Sequence, residues 1–164
     1  MTMNIQRAEQ AKQAIAQILK ENNQLNKLGL VLLQMAHESG GFTSHVQSTN
    51  NNFTGIKFAN QEGATKGVLS PEGDYYANFS TPYYWAKSYY HELTKKSNPL
   101  GATSIEDFAK RLKDNGYFTA SLADYTAALK SWVNTINKKL GISVTFGATL
   151  LIAFIVFFSL IIFL

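Results

Sequence analysis

The pattern of apolar and polar positions predicts a chain that is mostly helical up to about residue 140. Apolar residues recur three and four positions apart, the spacing of amphipathic helices. Such helices are predicted over Asn4–Glu21, Asn26–Ser39, Thr81–Lys96, Ser104–Asn115 and Ser121–Leu140. The second of these is apolar on nearly every side, so we expect it to be the central buried helix of the domain.

Between Gly40 and Thr81 the helical pattern is absent, and the segment is rich in Asn, Ser, Thr and Gly. Because it is too long for a structureless loop in a compact domain, we expect it to contain short strands. These are predicted at Phe53–Phe58, Thr65–Leu69 and Tyr75–Phe79, the last two joined by the turn Ser70–Asp74. The predicted fold class is therefore α+β and mainly α, with a small β insertion.

The chain ends in an uncharged apolar run, Val144–Leu164, which as a helix is long enough to cross the roughly 30 Å hydrocarbon core of a membrane. A buried core helix is the alternative, but this run has no polar face for water. We therefore predict a domain at 1–140 and a transmembrane tail anchor at 141–164. Lys138 and Lys139 favour a cytoplasmic orientation of the domain, and the start of the chain lacks a secretory signal. The expected localisation is a single-pass protein of a virion inner membrane or a host cell membrane.

Composition removes several kinds of chemistry. The 164 residues include no cysteine, so disulfides, thiolate metal sites and cysteine nucleophiles are excluded. The three histidines are too scattered for zinc ligation, and we expect neither a metal nor a cofactor. The net charge of +4 suits contact with anionic lipid or cell-wall polymer, whereas it is too small and too dispersed to indicate nucleic acid.

Glu38 is the first candidate for catalysis, because it places a carboxylate at the end of an apolar helix. Leu28, Val31 and Met35 form an apolar stripe that Glu38 extends. We therefore expect Glu38 to be half-buried. Burial disfavours the ionised form of a carboxylate, as a general acid requires.

Glycosidases usually need a second carboxylate to activate water or to stabilise developing positive charge. The β segment offers Glu62, Glu72 and Asp74 for that role. Pairs of acidic residues are weak evidence by themselves, since most surface acids only keep a protein soluble.

Residues Ala36–Phe58 resemble the signature of the bacterial and phage cell-wall β-N-acetylglucosaminidases of glycoside hydrolase family 73. In that family a Glu-Ser-Gly motif is followed at a fixed distance by Asn-Asn-x-x-Gly-Ile-Lys. The corresponding residues here are Glu38–Gly40 and Asn51–Lys57, with Ser44 between them.

The resemblance extends from about Leu25 to Ile136. Phe79–Tyr83 is similar to the Phe-x-x-Tyr segment of the family, and Asn115–Tyr117 with Tyr125 is similar to its Gly-Tyr-Ala-Thr-Asp-Pro-x-Tyr motif. The chain also departs from the family: Gly41-Phe42 stands where Trp-Gly is usual, and a longer link, Phe118–Asp124, replaces Ala-Thr-Asp-Pro.

The resemblance implies a lysozyme-like fold that cleaves the β-1,4 glycan strand of peptidoglycan, with Glu38 as general acid and Tyr117 near the scissile sugar. Glu72 is the implied second carboxylate, with Asp74 a close rival and Glu62 a distant one. If none of them reaches the site, the N-acetyl group of the substrate could supply the nucleophile.

Substrate binding is predicted at Asn51, Asn52, Gly55, Asp74 and Tyr83. The two asparagines could instead shape a turn. The tyrosines and tryptophan around Tyr83 are more often packing residues, although one or two rings could stack on sugars. His37 points to another helix face than Glu38, which favours a packing role.

Two other functions remain open at this stage. The same fold could act as a muramidase or as a lytic transglycosylase, for which one glutamate suffices. The chain could also be a non-catalytic virion membrane protein that binds glycan or connects capsid and bilayer. Because an anchored, inward-facing domain has no route to a resting cell wall, we infer a phage origin, with a role at entry or lysis and contacts with other virion proteins.

Overall fold

The computed structural model describes residues 2–144. Along these residues, three α-helices are followed by a two-stranded hairpin and then by four more α-helices. The helices are α1 (Ile5–Glu21), α2 (Leu28–Glu38), α3 (His45–Asn50), α4 (Pro82–Thr94), α5 (Ile105–Asp114), α6 (Leu122–Ser131) and α7 (Val133–Leu140), and the strands, between α3 and α4, are β1 (Ala64–Leu69) and β2 (Tyr75–Phe79). Short 3-10 turns lie at Leu25–Lys27 and Pro99–Gly101.

Side-chain caps fix where several helices begin. The Asn4 side chain accepts a hydrogen bond from the Arg7 amide at the start of α1. Ser104 accepts one from the Asp107 amide at 3.0 Å and begins α5, as its capping pattern predicts. Pro82 occupies the first turn of α4, where its missing N–H costs no helical hydrogen bond. The predicted starts of these helices are confirmed.

The two strands form an antiparallel hairpin in which Ala64 pairs with Phe79 and Leu69 with Tyr75. Both strands are close to their predicted bounds. The third predicted strand, Phe53–Phe58, is wrong: it contributes one isolated bridge, between Lys57 and Tyr76. The Asn52 side chain bonds both to the backbone of this segment and to β2 of the hairpin, as described below.

The predicted helix Ser121–Leu140 is divided into α6 and α7 at Trp132. The Trp132 amide bonds to the Leu129 carbonyl, three residues back, rather than continuing the four-residue ladder. Trp132 is buried, and its ring lies against Gly41 in the turn after α2. The junction between α6 and α7 therefore packs on the turn that follows Glu38.

α2 is the central helix, as predicted, and packs against α1, α6 and α7. Its residues Val31, Leu32, Leu33, Met35 and Ala36 are fully buried. A second group of large buried side chains joins the helices to the hairpin. That group consists of Phe42, Phe53, Phe79, Trp85, Tyr89 and Phe108.

No helix within residues 2–144 is long and apolar enough to cross a membrane. The fold class is therefore corrected to a mainly helical α+β fold with a two-stranded sheet and no transmembrane helix among these residues. The predicted localisation as a single-pass membrane protein is not supported. Val144, the first residue of the predicted span, packs on Gly29 of α2, and its amide bonds to Asn137. The rest of that span, 145–164, lies outside the described residues.

Candidate active site

Glu38 is the last residue of α2, and it is exposed to solvent. The expected half-burial is wrong because the helix ends here at the molecular surface. Ser39 is buried and closes the helix: its hydroxyl donates to the Met35 carbonyl at 2.6 Å and accepts from the Phe42 amide at 2.8 Å. Gly40 and Gly41, both with positive φ, then turn the chain away. The carboxylate is left at the surface where a substrate can reach it.

Tyr125 of α6 donates a hydrogen bond from its hydroxyl to Oε1 of Glu38 at 2.7 Å. Its ring stacks on Phe118, with centroids 3.7 Å apart, and meets the edge of His37 at 5.0 Å. Burial, and then the charge of Glu38, raises the pKa of Tyr125. The hydroxyl therefore stays protonated and remains a donor to the carboxylate.

Tyr117 lies in the loop after α5 and is half-buried. Burial makes the largest contribution to raising the pKa of its hydroxyl, and the negative charges of Glu38 and Glu92 raise that pKa further. Tyr117 is thus within electrostatic range of Glu38, as Tyr125 is. The region around the Glu38 carboxylate consequently holds neutral hydroxyl groups.

A third tyrosine and a glutamine extend this polar group into the core. Tyr89 of α4 is fully buried and donates from its hydroxyl to Oε1 of Gln34 at 2.6 Å. Gln34 lies four residues before Glu38 on α2, so both side chains are on the same face of the helix. Burial raises the pKa of Tyr89 well above its ordinary value, so its hydroxyl also remains a donor.

Glu72 lies at the tip of the hairpin, where its Oε2 pairs with Nζ of Lys57 at 2.8 Å. The hydrogen bond from Lys57, and then one from Ser70, lowers the pKa of Glu72 from 4.5 to about 2. The Lys57 ammonium also lies 4.2 Å from the ring centre of Tyr76 and is influenced by the charge of Asp74. Glu72 is therefore ionised at neutral pH, as a base or nucleophile must be and a general acid must not.

Neither Glu72 nor Asp74 of the hairpin bonds directly to Glu38 at the end of α2. Within residues 2–144, no hydrogen bond or ion pair joins Glu72 or Asp74 to Glu38. Glu62 pairs with Lys87 of α4 at 2.5 Å. The role of Glu72 as second carboxylate, with Asp74 as its rival, stays a prediction.

The two asparagines of the matched motif hold the backbone together. Asn52 is fully buried, and its amide group donates to the carbonyls of Ile56 and Ala77 while its oxygen accepts from the Ile56 amide. Asn51, in the left-handed conformation, donates to the Phe79 carbonyl at 3.0 Å. These bonds are what the turn-shaping interpretation predicts, and they occupy the Asn52 amide fully. Sugar binding by the two asparagines stays a prediction.

Gly55 and Tyr83 make their contacts away from Glu38 and from the tyrosines around it. Gly55 has φ +70°, and a β-carbon there would lie 3.6 Å from the Tyr76 ring of the hairpin. Tyr83 lines a groove of about 530 Å³ between α1, α4 and the loop before β1, and its hydroxyl lies 3.5 Å from Glu21. Glu62 lines the same groove. Glu38 and the three tyrosines of the site are not among the groove's lining residues.

The sequence interpretation missed Gln34 and Tyr89, and it assigned Tyr125 only to a matched motif. One signal was available for Gln34, which is a polar residue on a helix that is otherwise apolar up to His37. It lies one turn before the candidate acid. Within the part of the chain that the structure describes, no group of three or more acidic or histidine side chains could hold a metal ion.

Comparison with known proteins identifies the family of the chain. A family model named Glucosaminidase, described as mannosyl-glycoprotein endo-β-N-acetylglucosaminidase, matches residues 13–138. The chain belongs to the glucosaminidase family. The match includes Gln34, Glu38, Tyr117 and Tyr125. This glucosaminidase is therefore a glycoside hydrolase acting on peptidoglycan, as the sequence resemblance implied.

One solved structure shares the fold of this glucosaminidase. It is a chain in the structure of a type VI secretion system effector–immunity complex from Pseudomonas protegens, with 21% sequence identity and a TM-score of 0.53. The similarity covers 77% of this chain and 91% of that chain. No curated protein sequence matches significantly. The inferred phage origin and the virion partners were based on the predicted anchor, and these comparisons add no support for them.

Proposed function

We propose that this glucosaminidase hydrolyses the β-1,4 bond on the reducing side of N-acetylglucosamine in peptidoglycan, with Glu38 as the general acid. The observation that carries the proposal is the hydrogen bond from Tyr125 to Oε1 of an exposed glutamate at a helix end. It engages one carboxylate oxygen and leaves Oε2 available to hold a proton. A substrate oxygen can approach Oε2 from solvent.

In the proposed reaction the proton on Oε2 passes to the glycosidic oxygen as the bond between that oxygen and the anomeric carbon breaks. The oxygen leaves as a hydroxyl of the departing sugar, and Glu38 becomes a carboxylate. Positive charge develops on the remaining sugar, as in other glycoside hydrolases. The Tyr125 hydroxyl, which bonds to Oε1, stays neutral and does not compete for the proton.

Water completes the reaction by bonding to the anomeric carbon and losing a proton. Glu72 is suited to stabilise the positive charge, because Lys57 keeps it ionised, whereas a pKa of about 2 makes it a weak base. The proton that water loses passes to the Glu38 carboxylate, which restores the acid. The alternative route uses the N-acetyl group of the substrate as the internal nucleophile. Either route yields a new reducing end at N-acetylglucosamine.

The test is digestion of purified peptidoglycan by the full chain and by its Glu38→Gln variant. Gln keeps the shape of the side chain and cannot donate a carboxylic proton. We expect muropeptide release to fall by at least about 100-fold, the effect typical of removing a general acid. Glu9→Gln is the matched control, because Glu9 is a glutamate on α1 whose partner is Lys12. It should retain the activity of the parent.

Mass spectrometry of the new chain ends decides between the related activities. Reducing N-acetylglucosamine ends support the proposal. Reducing N-acetylmuramic acid ends would indicate a muramidase, and anhydro ends a lytic transglycosylase. Equal activity of the parent and the Glu38→Gln variant would exclude Glu38 as the acid.

A further inference from the structure

The ring of Tyr125, whose hydroxyl bonds to the candidate acid, is held by two other rings. Phe118 stacks on it, with ring centroids 3.7 Å apart and planes 5° from parallel. His37 makes a T-shaped contact with the same ring, with centroids 5.0 Å apart and an angle of 88° between the planes. These two contacts fix the plane of the Tyr125 ring, and the hydroxyl oxygen lies in that plane. They therefore determine where the hydroxyl points.

Phe118 lies in a short link, residues 118–120, between α5 and α6, and one lysine holds this link. Nζ of Lys113, near the end of α5, lies 5.2 Å from the centre of the Phe118 ring. The same ammonium donates hydrogen bonds to the carbonyl oxygen of Thr119, at 3.3 Å, and to that of Ala120. Lys113 thus contacts both the aromatic side chain and the backbone of the link.

Hydrogen bonds also fix the two ends of the link. At the end of α5 the Tyr117 amide donates to the Leu112 carbonyl at 3.0 Å. At the start of α6 the Ser121 hydroxyl accepts from the Asp124 amide at 3.1 Å. The link is also where the chain departs from the motif that it resembles, since Phe118 stands directly after Tyr117 in place of alanine. The stacking on Tyr125 is therefore a feature of this chain.

We propose that Phe118 is a positioning residue, which holds Tyr125 so that the Tyr125 hydroxyl keeps Glu38 oriented for proton donation. This inference deepens the proposed function and rests on it. Each contact that it requires is present: Lys113 on Phe118, Phe118 on Tyr125, and Tyr125 to Oε1 of Glu38 at 2.7 Å. We call Lys113, Phe118 and Tyr125 the aromatic support.

The aromatic support meets a need that the exposure of Glu38 creates. An exposed glutamate samples several rotamers, and only some of them direct Oε2 at a glycosidic oxygen. The Tyr125 hydroxyl lies at the far end of its side chain, so a small tilt of the ring moves it out of hydrogen-bonding geometry. Because Phe118 acts on the orientation of the acid, its effect should fall on kcat and leave KM unchanged.

The experiment is a double-mutant cycle on the full chain, with a soluble peptidoglycan fragment of defined length as substrate. The variants are Phe118→Leu, Tyr125→Phe and the two combined. Tyr125→Phe removes the hydroxyl and keeps the ring on which residue 118 packs. We expect Phe118→Leu to lower kcat about five-fold with KM unchanged, within the roughly two- to ten-fold range that one aromatic pair represents. In the Tyr125→Phe background the same change should lower kcat less than about two-fold, because no hydroxyl remains to be positioned.

A purely structural role for Phe118 predicts a different result. Loss of packing should lower the melting temperature equally in both backgrounds, since the ring at position 125 is kept. If kcat also falls by the same factor in both backgrounds, the proposal is overturned. Phe118→Tyr keeps an aromatic ring on Tyr125 and should bring kcat back to within about two-fold of the parent, and failure of this rescue would also contradict the proposal.

A second variant tests the aromatic support without removing a ring. Lys113→Met leaves the link without its ammonium and should lower kcat about two-fold, again only when the Tyr125 hydroxyl is present. The matched control is Lys110→Met, because Lys110 lies on the same helix and pairs with Asp114 at 2.7 Å. It should retain the kcat of the parent. Equal losses for the two lysine variants would show that Lys113 does not act through the link.

A structural measurement decides the question when a variant has too little activity for kinetics. In NMR spectra the nuclear Overhauser effect between the ring protons of Tyr125 and the side-chain protons of Glu38 reports their proximity. We expect it to weaken several-fold in Phe118→Leu and to be unchanged in Lys110→Met. An unchanged effect in a folded Phe118→Leu variant would overturn the proposal.

The Glu38→Gln variant separates the two proposals. If it is inactive and the cycle shows no coupling between Phe118 and the Tyr125 hydroxyl, the positioning role is wrong while Glu38 remains the acid. If it is as active as the parent, the proposed function itself has failed.

Discussion

Lys57 controls the charge state of Glu72 at the level of single residues. In the parent the pKa of Glu72 is lowered to about 2, chiefly by the Lys57 hydrogen bond. In a Lys57→Met variant we expect that pKa to rise toward 4.5, staying below it because Ser70 still contributes. The carboxylate would then become protonated as the pH falls through about 4, where the parent is still ionised. An NMR titration of the Glu72 side-chain carboxyl measures this directly.

The matched control is Lys66→Met on the same hairpin, since Lys66 lies over the Tyr75 ring instead of pairing with Glu72. It should leave the Glu72 titration unchanged. The Lys57–Glu72 pair is exposed, so high salt should also move the parent midpoint upward. An unchanged midpoint in the Lys57→Met variant would show that Lys57 does not hold this carboxylate. If Glu72 is the second carboxylate, activity of Lys57→Met should decline below about pH 5 while the parent retains it.

The sequence identifies Glu38 but not the residue that holds it, for a physical reason. Glu38 is visible because it ends an apolar helix and starts a short motif. Its partner Tyr125 is 87 residues away, and only packing of α6 on α2 brings the two together. Burial of Glu38 was also misjudged, because helical periodicity gives the direction of a side chain and not the distance to the surface.

At the level of elements, the turn after α2 is constrained by its surroundings. A β-carbon added to Gly41 would lie 2.3 Å from the Thr2 carbonyl oxygen and 2.8 Å from the Trp132 ring, at φ +80°. Gly41→Ala should therefore lower the free energy of unfolding by about 2–4 kcal/mol, from backbone strain together with overpacking. Urea denaturation measures the loss. We also expect reduced kcat, because the turn begins at the residue after Glu38.

Gly73 in the hairpin turn provides the control for Gly41. It has a similar φ of +92°, but a β-carbon there would meet no atom within 4 Å. Gly73→Ala should therefore lose only the backbone contribution, about 1 kcal/mol. Equal losses at the two glycines would show that the contacts with Thr2 and Trp132 do not constrain the turn.

Sequence patterns predict a helix or a turn well where residues close together in the chain determine it. Ser104 begins α5 and the Ser70–Asp74 turn joins β1 and β2 because caps and turns depend on near neighbours. The failures involve distant contacts. The predicted strand at Phe53–Phe58 is prevented by the Asn52 side chain, which bonds to Ile56 and Ala77. The predicted last helix breaks at Trp132, whose ring packs on Gly41, 91 residues earlier in the chain.

On the scale of the whole molecule, the site is assembled from side chains of three different helices. α2 supplies Gln34 and Glu38, α4 supplies Tyr89, and α6 supplies Tyr125. Asn51 and Asn52 connect the segment after the glycine turn to the hairpin that carries Glu72. The acid and the ionised carboxylate of the proposed reaction therefore lie on separate parts of the fold. Their relative position depends on packing throughout the domain.

The net charge of +4 predicts how the whole protein meets its substrate. Cell walls carry carboxylates and acidic polymers, so binding should include an electrostatic contribution that salt screens over a distance falling from about 10 Å at 0.1 M to about 3 Å at 1 M. In sedimentation assays with intact walls, we expect the bound fraction of the Glu38→Gln variant to fall several-fold between 0.05 and 0.5 M salt. Hydrolysis of an uncharged soluble fragment by the parent should change little over that range. Salt-independent binding to walls would mean that contacts in the site, and not net charge, provide the affinity.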